Sequence, residues 1–255
     1  MRKVILLSAF MCTLNVLFAQ NVRFTTSGTI EFEKTVNAYA VIKKMYNNNM
    51  EGFAQQAFEQ YKKTQPQFKT LKSTLIFGNN KTIFTPIPPE TSTSTFFNMP
   101  MADQNNTVYS DFNDNVSTSQ KIVFEQTYLL KDSIRQIIWK ITDETRDIAG
   151  YPCRRANGLL MDSIYVVAFY TDKIPVSGGP ESFSGLPGMI LQLALPHENI
   201  IWRATKVTDS SIDDKLLTPP RKGKPVNRKE LTLTLKDATK NWGTYGQTYL
   251  KAFSL

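Results

Sequence analysis

The side chains of this chain that could do chemistry are few: one histidine, two cysteines, some serines and a handful of paired acids. Cys153 stands before Arg154 and Arg155, and His197 is the single histidine. A cysteine nucleophile works as the thiolate, so it needs a base or a cation that lowers its pKa. Along a strand Arg155 shares the face of Cys153 and Arg154 points the other way. Arg155 is therefore the group that could make Cys153 a reactive thiol. The opposite reading is a small apolar residue within a sheet, since cysteine is among the most buried residue types. The sequence favours that second reading. An intermolecular or redox-sensitive thiol is a third.

Other chemistries lack their parts. A single histidine does not furnish the several His or Cys ligands of common zinc sites. Met99 and Met101 form a lone thioether pair in a polar loop, weak grounds for copper(I). Ser184 and Ser177 stand in Phe-Ser-Gly and Val-Ser-Gly, and no Gly-x-Ser-x-Gly occurs. The acid pairs Asp143/Glu144 and Asp213/Asp214 fall in turn-like segments, where acids serve as solvated turn formers. No catalytic constellation, metal or cofactor is expected.

The elements that must position these residues are mostly strands. Alternation around Ile30 and Phe32 predicts a first strand. Phe53, Ala57, Phe58 and Tyr61 recur at helical spacing after the capping residues Asn47 to Asn49, and Pro66 stops the helix. Gly78-Asn79-Asn80 predicts a hairpin between Thr74–Phe77 and Thr82–Thr85. Pro86 to Asn106 is a long loop. Further strands are predicted at 107–112, 121–129, 133–141, 150–156, 163–170, 189–195 and 200–207. Their short connections, Lys131-Asp132, 142–149, Asn157-Gly158 and 197–199, require antiparallel neighbours. A basic, proline-rich connector occupies 218–227. Asn227 and Glu230 then have capping-box spacing for a helix with Leu231, Leu235, Ala238 and Trp242 on one face, ended by Gly243. The fold expected is mainly β (α+β). It is a large curled antiparallel sheet, half-barrel-like, with one helix near the start and one near the C-terminus.

The N-terminal segment sets the compartment. Arg2 and Lys3 precede an uncharged, largely apolar run from Val4 to Phe18, then Ala19 and polar residues. This reads as a signal peptide, residues 1–19, cleaved near Ala19. The run is too short for a bilayer span, and no later segment reaches the length of a transmembrane helix. Cleavage removes Cys12, leaving Cys153 alone, so no internal disulfide is expected in the single domain of residues 20–255. The chain carries a formal charge of +8, two units of it on Arg2 and Lys3. The remainder serves solubility first and attraction to anionic envelope surfaces second. Nucleic acid is not an expected partner of an exported protein.

One stretch carries a family likeness. Trp139-Lys-Ile-Thr-Asp-Glu-Thr-Arg-Asp-Ile-Ala-Gly-Tyr-Pro-Cys153 runs on to Ala168-Phe-Tyr-Thr171 and to Ile174-Pro-Val-Ser-Gly-Gly-Pro-Glu-Ser-Phe-Ser-Gly-Leu-Pro-Gly-Met-Ile190. This resembles the GLPGLI family of exported proteins, densely over 135–195 and more thinly elsewhere. Met189 replaces the second leucine of the name motif. The resemblance implies a signal peptide and an envelope location but brings no activity. A curled sheet packed by a helix is also similar, at the level of fold alone, to the half-barrel of periplasmic lipoprotein carriers.

Physically, Leu186-Pro187-Gly188-Met189 fits a type II turn entering a strand buried on both faces. Phe183 and Leu186 can plug one end of the core. Pro187 removes a donor from any phosphate nest, and a strand follows where a helix would be needed. The candidate binding surface is therefore this rigid loop, Phe183, Gly185, Leu186, Pro187 and Gly188, with the aromatic residues Trp139, Tyr151 and Phe169 in neighbouring strands. Two functions follow as expectations. The first is a non-catalytic envelope module that binds a partner protein, such as an outer-membrane uptake or assembly system. The second is a carrier of an apolar ligand in the groove of the half-barrel. A cysteine-dependent enzyme ranks below both. The layer (periplasm, outer-membrane surface or medium) and the oligomeric state stay open.

Overall fold

A computed structural model describes residues 24–46, 51–89, 96–161 and 163–255. The signal-peptide segment 1–19 and the capping residues Asn47 to Asn49 lie outside the described residues.

The sheet is built outward from β1 (Gly28–Asn37), whose buried face carries Ile30, Phe32, Lys34 and Val36 at the period of two that a half-buried strand requires. On one side β1 pairs with β2 (Phe68–Gly78), followed by β3 (Lys81–Ile87), β4 (Thr107–Asp111), β5 (Val116–Val123) and β6 (Gln126–Ser133). On the other side lie β11 (Ile200–Asp209), β10 (Met189–Leu195), β9 (Ile164–Thr171), β8 (Tyr151–Leu160) and β7 (Ile138–Ile148). These strands are antiparallel throughout. The one exception in the sheet is β12 (Lys224–Val226), cut from the proline-rich connector, which runs parallel to β6 at the far edge. Among the described residues the sheet thus has twelve strands and is open, with β12 and β7 at its ends. The mainly β, antiparallel architecture read from the sequence holds.

Four helices accompany the sheet among the described residues: α1 (Ala38–Met45), α2 (Gly52–Thr64), α3 (Arg228–Thr239) and α4 (Gly243–Ser254). α1 was not legible, because it follows β1 without a break and shares its residue types. The capping box is present: Asn227 Oδ1 accepts from the Glu230 N–H at 2.9 Å, and Glu230 accepts from the Asn227 N–H at 2.9 Å. Gly243 does not end that helix but opens α4, at φ +55°. Because α3 stops at Thr239, its buried stripe is Leu231, Leu235 and Thr239; Ala238 is exposed, and Trp242 lies beyond the helix, packed on Phe124 and Tyr249.

Several predicted boundaries move. The Asn79-Asn80 hairpin is as expected, both residues at positive φ. The predicted strand 121–129 is two strands, broken at Phe124-Glu125. Phe124 accepts φ +54° there because its ring packs on Trp242, Tyr249 and Phe253. Asn157-Gly158 lies inside β8 and is no turn, because Gly158 is a site of close approach. A Cβ there would stand 2.9 Å from the Trp139 indole. The segment 142–149 continues β7 through a bulge between Ile141 and Thr145, and the true turn is Ala149-Gly150. Lys131-Asp132 belongs to β6, and the connection to β7 comes after Ser133.

The main core spans β1–β4 and β8–β11 with α1, α2, Phe97, Met99 and the loop before β10. A smaller cluster, Val123, Tyr128, Leu130, Leu231, Leu235 and Phe253, holds α3 and α4 on β5 and β6.

Candidate functional site

The loop between β9 and β10 is held from within. Met189 donates to the Ile174 carbonyl at 3.0 Å and Ile190 to the Gly178 carbonyl at 2.8 Å. Ser177 Oγ donates to Leu186 O at 2.7 Å and accepts from the Gly185 N–H at 3.1 Å. The type II turn is not formed. Gly188 bonds to Leu186 O at 2.8 Å, so the chain folds back around Pro187 one residue tighter. Gly188 has φ +139°, and a Cβ on it would lie 2.1 Å from Thr171 O. The glycine is demanded by close backbone approach to β9 as well as by its own φ.

Phe183 and Leu186 are buried, and Phe183 packs on Trp202 with ring centroids 6.3 Å apart. Gly185 and Pro187 are exposed, and Trp139 is half-buried beside them. Trp139 Nε1 donates to Ser184 O at 2.9 Å, tying the loop to β7. This part of the predicted surface is therefore brought together. Tyr151 and Phe169 are elsewhere engaged. Tyr151 shares a hydrogen bond with Thr25 Oγ1 at 3.0 Å. Phe169 is buried, with the Arg146 guanidinium 3.9 Å over its ring.

The edge next to Trp139 is unusual in its exposure. β7 ends the sheet, so among the described residues no strand pairs with its outer edge. Its second half is guarded by the bulge and by ion pairs, Arg154 with Asp143 at 2.9 Å and Arg155 with Glu144 at 2.5 Å. Bulges and charges are what normally protect an edge. The first half, residues 138–141, lies outside the bulge, and its one charged side chain is the exposed Lys140. Ile138 is 90% exposed, and its cross-strand partner Leu159 is 55% exposed.

Cys153 is 1% exposed, and its Sγ donates to Tyr151 O at 3.4 Å. Burial, with the Asp147 charge adding to it, pushes the thiol up to about 12. Arg155 does not lower it, since its guanidinium is occupied by Glu144 and Asn157. His197 sits in the turn after β10 against Tyr165, and it shares no partner with Cys153.

A cleft of about 280 Å³ opens between α1, the Met99–Met101 turn and α4. Val41, Met45, Met99 and Met101 make its apolar wall, and Lys44, Lys251 and Glu198 meet at its rim. Lys44 pairs with Glu198 at 2.8 Å, and Lys251 pairs with the same carboxylate. Burial alone would raise the Glu198 carboxyl, but the two lysine hydrogen bonds more than offset that and hold it low. Sequence reading found the methionine pair but not the cleft, because Met45 and α4 come to it from distant parts of the chain.

An open, twelve-stranded antiparallel sheet with a rigid Gly/Pro loop at one edge defines the class of protein. A family described as a protein of unknown function (Porph_ging) matches residues 159–192, from the end of β8 into β10. None of the curated proteins compared with the chain matches it. Among solved structures, PNGF-II in its P21 crystal form is similar over 85% of this chain and 33% of that one, at 16% identity and TM-score 0.50. The C2 form is similar over 84% and 33%, at 15% identity and TM-score 0.52. The chain therefore corresponds to about a third of the length of PNGF-II, and at this identity the likeness is one of fold.

Proposed function

We propose that the chain is an exported, non-catalytic binding module whose partner docks on residues 138–141 of β7 and the adjoining loop at Gly185–Pro187. The observation that carries this reading is the exposed apolar pair Ile138 and Leu159 at the start of an edge strand, beside a loop fixed by Trp139. An extended segment of a partner would add a strand there, with backbone bonds supplying affinity and apolar contacts register. Export rests on the signal-peptide pattern of residues 1–19 and on the resemblance to the GLPGLI family, whose name motif falls within the matched stretch. An envelope uptake or assembly protein is the natural partner class. The absence of a catalytic role rests on the neutral, buried Cys153 thiol.

The test is recovery of a partner from envelope extracts by the protein lacking residues 1–19, beside Ile138→Lys. The wild type is expected to retain one defined partner and Ile138→Lys to lose at least about ten-fold of it, with unchanged circular dichroism. Equal recovery by both, or repeated recovery of nothing, sinks the reading.

A second reading is favoured by the 280 Å³ cleft. A carrier of an apolar ligand would use this thioether-walled space rather than the interior of the half-barrel. That interior is filled by Lys34, Lys121, Phe183 and Trp202. Methionine walls adapt to irregular apolar shapes. Saturable binding of a fluorescent fatty-acid probe, abolished by Met101→Glu, is the expected result. Its absence removes this reading without touching the first.

A further inference from the structure

The rim of the cleft between α1 and α4 carries an uneven set of charges. Three elements bring one charged group each: Lys44 from the last turn of α1, Lys251 from the last turn of α4, and Glu198 from the turn after β10. Lys44 Nζ donates to Glu198 Oε2 at 2.8 Å and to His197 O at 2.7 Å. Lys251 Nζ donates to Glu198 Oε1. Both oxygens of the carboxylate are thus engaged. Burial works against its charge, and the two lysine hydrogen bonds outweigh burial and keep it ionised. Two ammoniums therefore share one carboxylate, and among the described residues no other acid lines the cleft. The lining is left with one positive charge in excess.

Donors are in excess as well. An ammonium has three N–H groups. Lys44 directs two of them and Lys251 one to the contacts above, so both lysines keep donors to offer. Both are within reach of a ligand, with side chains 50% and 27% exposed. Tyr245 and Thr248 add hydroxyls to the same lining, and Gln247 adds an amide. Beside this polar rim lies the apolar wall of Val41, Met45, Met99 and Met101. An apolar wall with a few polar groups converging at one end is what fixes the orientation of a small ligand. At roughly 30 Å³ per water-sized group, the cleft of about 280 Å³ takes a chain of about nine such groups.

We propose that this cleft selects single-chain amphiphiles with an anionic head, of which a medium-length alkyl carboxylate is the simplest. The proposal deepens the carrier reading and rests on it. The tail lies against the methionine thioethers. The head accepts from the remaining N–H groups of Lys44 and Lys251 and supplies the second negative charge. Hydrogen bonds between ionised partners are stronger than neutral ones. An alcohol of the same length forms no ionic contact there, and an alkylammonium meets two like charges beside a carboxylate whose oxygens are already taken.

Equilibrium dialysis of the protein against octanoate, octanol and octylammonium at pH 7 tests this. Octanoate is expected to bind roughly ten-fold more tightly than octanol, and octylammonium most weakly. Lys44→Gln is expected to bring octanoate down to the level of octanol and to leave octanol unchanged. Should that variant fail to fold, the wild type decides, because the margin of octanoate over octanol must shrink as salt is raised from about 0.05 M to about 0.5 M. Equal affinity for octanoate and octanol overturns the proposal while the carrier reading stands, and so does tighter binding of octylammonium. An equal loss of octanoate and octanol in Lys44→Gln also overturns it, since the lysine then supports the cleft without reading the head. Retention of none of the three overturns the carrier reading and the proposal together.

Discussion

Single residues in this protein are chosen by what stands directly opposite them. Gly158 is required because the Trp139 indole and Ile137 stand where a Cβ would be, and Gly188 because Thr171 O leaves no room for a Cβ. Gly188→Ala places a methyl group where a carbonyl oxygen is, in a backbone conformation that only glycine holds cheaply. The loss expected is on the order of 2–3 kcal/mol, read as a lower urea midpoint with an unchanged m-value. An unchanged midpoint would mean that β9 and the loop can part without cost. The same logic applies to Cys153, where burial decides the state of the thiol and the arginine two residues along does not. Sequence spacing identified the right pair of neighbours, but only the side-chain rotamers showed that Arg155 reaches Glu144 instead.

At the scale of elements, local rules succeeded where the signal is local. The Asn79-Asn80 turn and the Asn227/Glu230 capping box are decided within a few residues, and both formed as read. Asn227→Ala removes the side-chain acceptor of the Glu230 N–H. It is expected to cost about 1 kcal/mol, or a fall in Tm of about 2–4 °C, checked by scanning calorimetry against Lys229→Ala as a control on the same turn. Where a turn depends on distant packing the local rules failed. Phe124 turns the chain with neither glycine nor proline beside it, because Trp242, Tyr249 and Phe253 enclose its ring. Gly158 looked like a turn because the strand that covers it lies almost twenty positions earlier in the chain.

For the whole molecule, the notable term is buried positive charge on the inner face of the sheet. Unfolded, Lys121 keeps its proton up to about pH 10.5, and folded it releases it near 8. Between those values the unfolded chain holds more protons, so stability rises with pH. Burial moves Lys34 in the same direction. Cys153 acts oppositely from pH 9 upward, since the folded thiol keeps its proton to about 12. The unfolding free energy is therefore expected to rise by about 1 kcal/mol from pH 7.5 to 9, measured by urea titration. Lys121→Met should flatten that rise. A flat wild-type profile would show that Lys121 stays charged in the fold.

The sequence by itself determined the mainly β class, the antiparallel meander, two of the tight local features and the loop that plugs the core. These depend on residue periodicity and on turn chemistry within a few positions. Tertiary structure alone decided that β7 is an exposed edge, that α1 and α4 enclose a cleft with Met99 and Met101, and that Lys44 and Lys251 share Glu198 at its rim. Strand order and the convergence of remote side chains depend on which long loops close. Those closures are set by packing free energy summed over the whole sheet, for which no short stretch of sequence carries a signal.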